Sequence, residues 1–331
     1  MSLKTDFDAL QKEVDADKEQ VDEARRRRDI FSEAFGPESD VLETIPSGSL
    51  ARKSHADPIH DVDLVIVFDP GEHPDWGQPG ASAGDALGVV QSRVRELLGA
   101  SEGSHAREVR LAAPRNHAVK CFLDDPEDPD AFTVDVMPAL RHTDGGLLVP
   151  ESASAAWIRT DPEFLIESVA ARNSDWNEFV RLVRVLKRWN RDHGKIFKSL
   201  TLEVLALQHL PVASRPEALA RFFTAAQAVI YEEICDPAGL CGEIQPDLDR
   251  DAAHSLLKGA ASRSWEALEA EGAGDDHEAS ALWHEVLGDA FPAPSAAGSG
   301  GGSAAATGAG AAAVSAIIPR RPRPVIDAPQ G

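Results

Sequence analysis

Apolar positions follow two different rhythms along this chain. In residues 6–35, Phe7, Leu10, Val14 and Val21 recur at helical spacing, with Ile30, Phe31 and Phe35 further on, so the pattern predicts one long amphipathic helix. "SGSLARKS" then reads as a Gly-Ser turn entering a short helix. "DVDLVIVF", dense in β-branched and aromatic residues, reads as a strand. "DPGEHPDWGQPGASAG" is a loop by its Pro and Gly content. Residues 84–99 return to helical spacing, with Leu87, Val90, Val94 and Leu97 on one side. "HAVKCFL" and "FTVDVMPAL" read as two further strands, joined as a hairpin through "DDPEDPDA".

Past residue 160 the rhythm is helical throughout, in "FVRLVRVLKRWNRDH", "SLTLEVLALQHL", "PEALARFFTAAQAVIYEEI", "RDAAHSLLKGAASRSWEALEAE" and "HEASALWHEVLGDAF". Strand signals in one half and helices in the other predict an α+β molecule of two lobes around a cleft. The expected divisions are 1–160, with the long helix and the mixed sheet, 161–292, the helical lobe, and 293–331. In the last, Ser295 to Ala316 holds only Ala, Gly, Ser, Thr and one Val, a composition expected to stay disordered. The closing "IIPRRPRPVIDAPQG" regains apolar and basic residues and reads either as a docking peptide or as a frayed terminus.

With 331 residues, the chain can form one large domain or two ordinary ones, and 43% hydrophobic with 27% charged residues is a soluble globular profile. No apolar run approaches the ~20 residues that span a bilayer, and the charged start "MSLKTDFDALQKEVDADKEQ" is unlike a signal peptide. The expected location is the cytoplasm. Cys121, Cys235 and Cys241 lack a paired metal-binding spacing and read as small buried residues. A net charge of -22 repels phosphate backbones and argues against general duplex binding, while leaving room for a small nucleotide. "ARRRRD" reads as a solvated helix face pairing with nearby acids rather than as a basic binding patch.

The chemistry gathers at "HDVDLVIVF". Residues i and i+2 of a strand share a face, so Asp61 and Asp63 project together while Val62 and Leu64 turn into the core. Parallel carboxylates at the mouth of an apolar run call for a cationic partner, and hard oxygen donors suit Mg²⁺. Asp135, alone between Val134 and Val136, supplies a third acid for a second ion if its strand lies beside the first. Gly48 lets the backbone approach a ligand and Ser49 adds a hydroxyl, with eleven residues, Leu50 to His60, between Ser49 and Asp61.

Gly48-Ser49, the intervening helix, "HDVDLVIVF" and the later "VDVMPAL" resemble the nucleotidyltransferase superfamily of DNA polymerase beta. "VRVLKRWNRDHGKIFKSLTLEVLA" resembles the Lys…Lys-Ser…Glu region of the cGAS/DncV-like nucleotidyltransferases, the CD-NTases of bacterial CBASS anti-phage systems. "WHEVLGDAFP" is similar to the ending of their second lobe. The resemblance covers roughly residues 5–292. It implies a polymerase-beta-like core that makes cyclic di- or trinucleotides from NTPs such as ATP or GTP, with release of pyrophosphate. It implies that Asp61, Asp63 and Asp135 bind two Mg²⁺ (or Mn²⁺), with Asp135 helping to activate the acceptor hydroxyl. Gly48 and Ser49 would cradle phosphates, and Lys187 and Ser199 would reach the donor triphosphate, with Lys198 as a second candidate. Lys187 also reads as a solvated helix lysine and Ser199 as a helix N-cap.

Two positions depart from the pattern. Lys53-Ser54 stands where relatives carry Gly-Thr, and Leu200 stands where an aromatic stacks on a base. A template-independent RNA or tRNA nucleotidyltransferase and a toxin–antitoxin nucleotidyltransferase would share the acids, and a binding protein on an inactive fold is the non-enzymatic alternative. Some relatives are joined through their C-terminal residue to targets by a ubiquitin-conjugation-like partner. Gly331, after its tether, fits that geometry.

Overall fold

In the computed structural model, residues 2–99 and 107–293 are described. The expected linker and tail from residue 294 onward, with Gly331, lie outside them.

The architecture is α+β, as the rhythms imply, around a seven-stranded mixed sheet. Its centre is β2 (Asp61–Phe68). On one side β2 pairs antiparallel with β1 (Val41–Ser47), on the other parallel with β5 (Thr133–Arg141). Next come β4 (Val119–Phe122), antiparallel to β5 as the hairpin reading expects, and β3 (Leu111–Pro114). β6 (Leu147–Glu151) and β7 (Ala156–Thr160) continue from the far end of β5. β1, β3, β6 and β7 escaped the sequence reading. They are short, and several carry Pro or charged residues, which suits edges better than a buried centre.

Both faces of β2 are covered, which is why it reads as a continuous apolar run. Val62, Leu64, Ile66 and Phe68 join a core with α2 (Lys18–Phe35) and α4 (Ser82–Leu97). Val65 and Val67 pack with Ile45, Ala139, Leu147 and Val149 on the opposite face.

The long N-terminal helix is two helices. α1 (Leu3–Val14) stops where Asp15 turns extended, and Asp17 caps α2 by accepting the Gln20 N–H at 2.7 Å. A capping aspartate competes with helix continuation, and period alone does not reveal it. The break separates two destinations. α2 covers the sheet, whereas Leu3, Phe7, Leu10 and Val14 of α1 enter the core of the helical half, so the boundary expected at residue 160 does not divide the packing. That second core also holds α5 (Pro162–Asp175), which the sequence reading missed, and α6 (Phe179–Asp192), α7 (Ser199–His209), α8 (Arg215–Val229), α9 (Arg250–Gly272) and α10 (Asp276–Leu287).

α6 joins the halves. Its apolar side is buried, and its basic side bonds to residues 53–57: Arg184 donates to the Lys53 carbonyl at 2.7 Å and Arg191 to the Asp57 carbonyl at 2.8 Å. The arginines of "ARRRRD" pair with nearby acids, Arg26 with Glu23, Arg27 with Glu23 and Asp124, and Arg28 with Asp29. They form a paired helix face, as the charge pattern suggests. No helix among the described residues is long and apolar enough to cross a membrane.

Candidate active site

The short α3 (Gly48–Ala51) leaves β1 through Gly48, whose φ is 67°. Left-handed backbone suits glycine here, and the position allows no side chain: a Cβ on Gly48 would meet the Asp63 carboxylate. The turn and the acid are thus pressed together by the pairing of Ser47 with Asp63 across β1 and β2.

The parallel pairing of β2 with β5 sets Asp63 directly opposite Asp135. Antiparallel pairing then sets Asp135 opposite Lys120. Register partners share a face, so Ser47, Asp63, Asp135 and Lys120 form one row across four strands. Asp61 lies two residues before Asp63 on the same face. Asp61, Asp63 and Asp135 therefore lie on one face of two neighbouring strands. Burial first, then the neighbouring Asp61 and Asp135 carboxylates, push the Asp63 carboxyl well above the usual carboxylate range. Like charges held this close favour a cation between them.

The donor set is carboxylate oxygen alone, which suits a hard divalent ion. Among the described residues no three His, Cys, Asp or Glu side chains are already drawn together as a metal cage. The acids form a face that a cation would have to tighten.

Two clefts open on either side of the pair. One is lined by Gly48, Arg52, Asp63, Asp161, Leu200 and Cys241, among others. The other includes Ser49, His55, Asp61, Lys187, Lys195 and Ser199 in its lining. Each aspartate of the pair faces its own cleft, an arrangement that can present two molecules to one set of charges.

Behind the acids stands a buried ion cluster that links the two halves. Glu203 on α7 is 1% exposed. It accepts from Arg52 Nε at 2.7 Å and from Lys187 Nζ at 2.6 Å. Burial opposes its charge, but Arg52 and Lys187 prevail and hold its carboxyl down at about 2. Burial pulls Lys187 below the usual lysine range, with Glu203 acting against that. Lys187 also donates to the Ser54 carbonyl at 3.0 Å and to the Ser54 hydroxyl at 3.3 Å. An ammonium has three N–H donors, and all three have acceptors here.

The remaining expectations divide. Ser49 and Ser199 reach the same cleft as Asp61. Ser199 is the first residue of α7 rather than its cap, which is Lys198. Lys198 is committed to Asp247 at 3.0 Å. Leu200 lines the first cleft from the position where an aromatic ring was expected. Arg52, Lys120, His55, Lys195 and Glu203 have no role that the sequence pattern predicts. Glu203 was detectable, since a lone acid in the apolar run "LTLEVLAL" is the signal that marked Asp135. The others depend on pairings across the fold.

No protein-family model matches the chain. A probable cyclic nucleotide synthase of Bacillus cereus (strain VD146) is 25% identical over 325 residues, 86% of this chain and 96% of the relative. Among solved structures, CdnC of E. coli MS115-1, determined with ATP, superposes with a TM-score of 0.67 at 18% identity, over 88% of this chain and 99% of that one. The CD-NTase CdnG of Bradyrhizobium diazoefficiens, in complex with GTP, gives 0.63 at 12% identity, over 86% and 95%. The likeness runs nearly end to end, through the helices as well as the acid-bearing sheet, and the chain has the fold of these CD-NTase structures.

Proposed function

We propose that this chain joins nucleoside triphosphates into a cyclic di- or trinucleotide with release of pyrophosphate, as a signal in bacterial anti-phage defence. One observation carries the reading: Asp63 and Asp135 are register partners, and Asp63 and Asp61, two residues apart on one strand, each line a cleft. Two nucleotides, one in each cleft, would meet at the acids. The relative named a probable cyclic nucleotide synthase and the ATP- and GTP-bound structures support this over a polymerase or a toxin.

In the reaction a ribose hydroxyl oxygen bonds to the α-phosphorus of the second nucleotide. The bond to the bridging oxygen breaks, and that oxygen leaves with pyrophosphate. Two Mg²⁺ (or Mn²⁺), held by Asp61, Asp63 and Asp135, would neutralise the attacking and leaving oxygens. The chain's own residues position. Asp135 faces the acceptor hydroxyl and takes its proton. Gly48 keeps Asp63 in place and lets a phosphate approach the turn, and Ser49 and Ser199 offer hydroxyls to it. Arg52 and Lys187, anchored on Glu203, offset the negative charge of the acids from behind. A second condensation closes a dinucleotide ring, and a third closes a trinucleotide ring.

The test incubates the chain with labelled NTPs and Mg²⁺ beside the Asp61→Ala/Asp63→Ala variant. Wild type alone should yield pyrophosphate and a phosphatase-resistant product whose mass identifies the ring. Linear chains extending on an RNA primer would favour the polymerase alternative instead.

A further inference from the structure

In the cleft lined by Ser49, Asp61 and Ser199, the lysine left available to a triphosphate is one the family pattern does not single out. Lys187 has an acceptor for each of its three N–H groups, and Lys198 is held on Asp247. Arg188 is drawn to Asp192 at 2.7 Å. Lys195 lines the same cleft as Ser49, Asp61 and Ser199, is exposed, and has no ion-pair partner among the described residues.

Its placement is built. The chain leaves α6 through Gly194, with φ 92°, and Lys195, with φ 54°. A non-glycine residue pays a steric penalty in that region and keeps it only when its surroundings enforce it. Here they do. The Lys195 N–H donates to the Asn190 carbonyl at 2.7 Å. The buried Asn190 side chain grips Phe197 at both ends, accepting its N–H at 3.0 Å and donating to its carbonyl at 2.8 Å. Phe197 is itself 1% exposed. The turn therefore holds Lys195 in the wall of the cleft that Asp61 also lines. On a chain of net charge -22, long-range attraction does not deliver a polyanion, so local cations must hold it.

We propose that Lys195 is a binding contact for the β- and γ-phosphates of the donor nucleoside triphosphate, with the spare N–H groups of Arg191 beside it. This deepens the synthase reading and rests on it, the donor being placed in this cleft because Ser199, the expected donor contact, lines it. Lys187 then acts through the charge cluster rather than by touching phosphate.

The experiment measures binding of each of the four NTPs and its monophosphate to the full chain in Mg²⁺ by calorimetry. For a triphosphate that wild type binds, Lys195→Ala should weaken affinity about tenfold while leaving the monophosphate within about twofold. Lys195→Arg, which keeps the charge, should stay within about threefold of wild type. The proposal is overturned if Lys195→Ala binds the triphosphate as wild type does, or loses both ligands equally. Wild type that binds no triphosphate at all overturns it too. Pyrophosphate release, followed separately, reports on the synthase reading: binding that depends on Lys195 without any release would sink that reading and leave the phosphate contact standing.

Discussion

A Cβ added to Gly48 would lie 1.6 Å from Oδ2 of Asp63 and 2.5 Å from its Cγ. The glycine is thus required twice, by its φ of 67° and by the acid above it. Gly48→Ala is expected to cost about 1–2 kcal/mol for the backbone conformation alone, and to swing Asp63 out of its row. Pyrophosphate release should fall at least about a hundredfold, a loss of roughly 3 kcal/mol of transition-state stabilisation. A variant retaining half the wild-type rate would show that the turn does not set the acid.

Glu203 sets a pH limit. Its folded carboxyl titrates at about 2, against an ordinary value of 4.5. The unfolded chain therefore takes up a proton first as pH falls. The stability contributed is complete above pH 4.5 and is lost as pH falls towards 2. A difference of that size is worth on the order of 3 kcal/mol. Glu203→Gln should be less stable at pH 7, because Arg52 and Lys187 stay buried without their counter-ion. The gap from wild type should close between pH 4.5 and 2 in denaturant titrations. A gap independent of pH would mean that packing rather than charge is at stake.

His55 covers a higher window. Burial, then the nearby Arg184 and Lys187, and more weakly Arg25, depress its ring from 6.5 to about 4. The folded ring stays neutral while the unfolded one protonates below 6.5, so stability falls as pH drops from 6.5 to 4. Substituting His55→Asn should flatten the profile in that interval. An unchanged slope would assign the loss to other groups.

α1 should prove part of the helical half. Phe7 meets Trp283 edge-on at 5.3 Å between ring centroids and Phe291 at 5.1 Å. Phe7→Ala is expected to cost about 3–5 kcal/mol, read from a shifted denaturation midpoint. A loss under about 1 kcal/mol would make the N-terminal helix dispensable.

Much of this protein was legible in one dimension. The strand at Asp61–Phe68, the hairpin that follows it, the helical second half and the shared face of Asp61 and Asp63 all follow from local periodicity, because a backbone repeat imposes its own rhythm on whichever side is buried. Asp135 stood out because a carboxylate among valines needs a reason. The parting of α1 from α2 was not legible, since period does not say which core a helix joins. Nor were the short outer strands.

The register that puts Asp63 against Asp135, the ion cluster on Glu203 and the saturation of Lys187 were settled only when residues far apart in sequence met. Arg52 and Glu203 are 151 positions apart. A hydrogen bond or ion pair at that separation leaves no trace in the local pattern of either segment. Residue order specified which side chains could do the chemistry, and tertiary contact decided which of them remain free to do it.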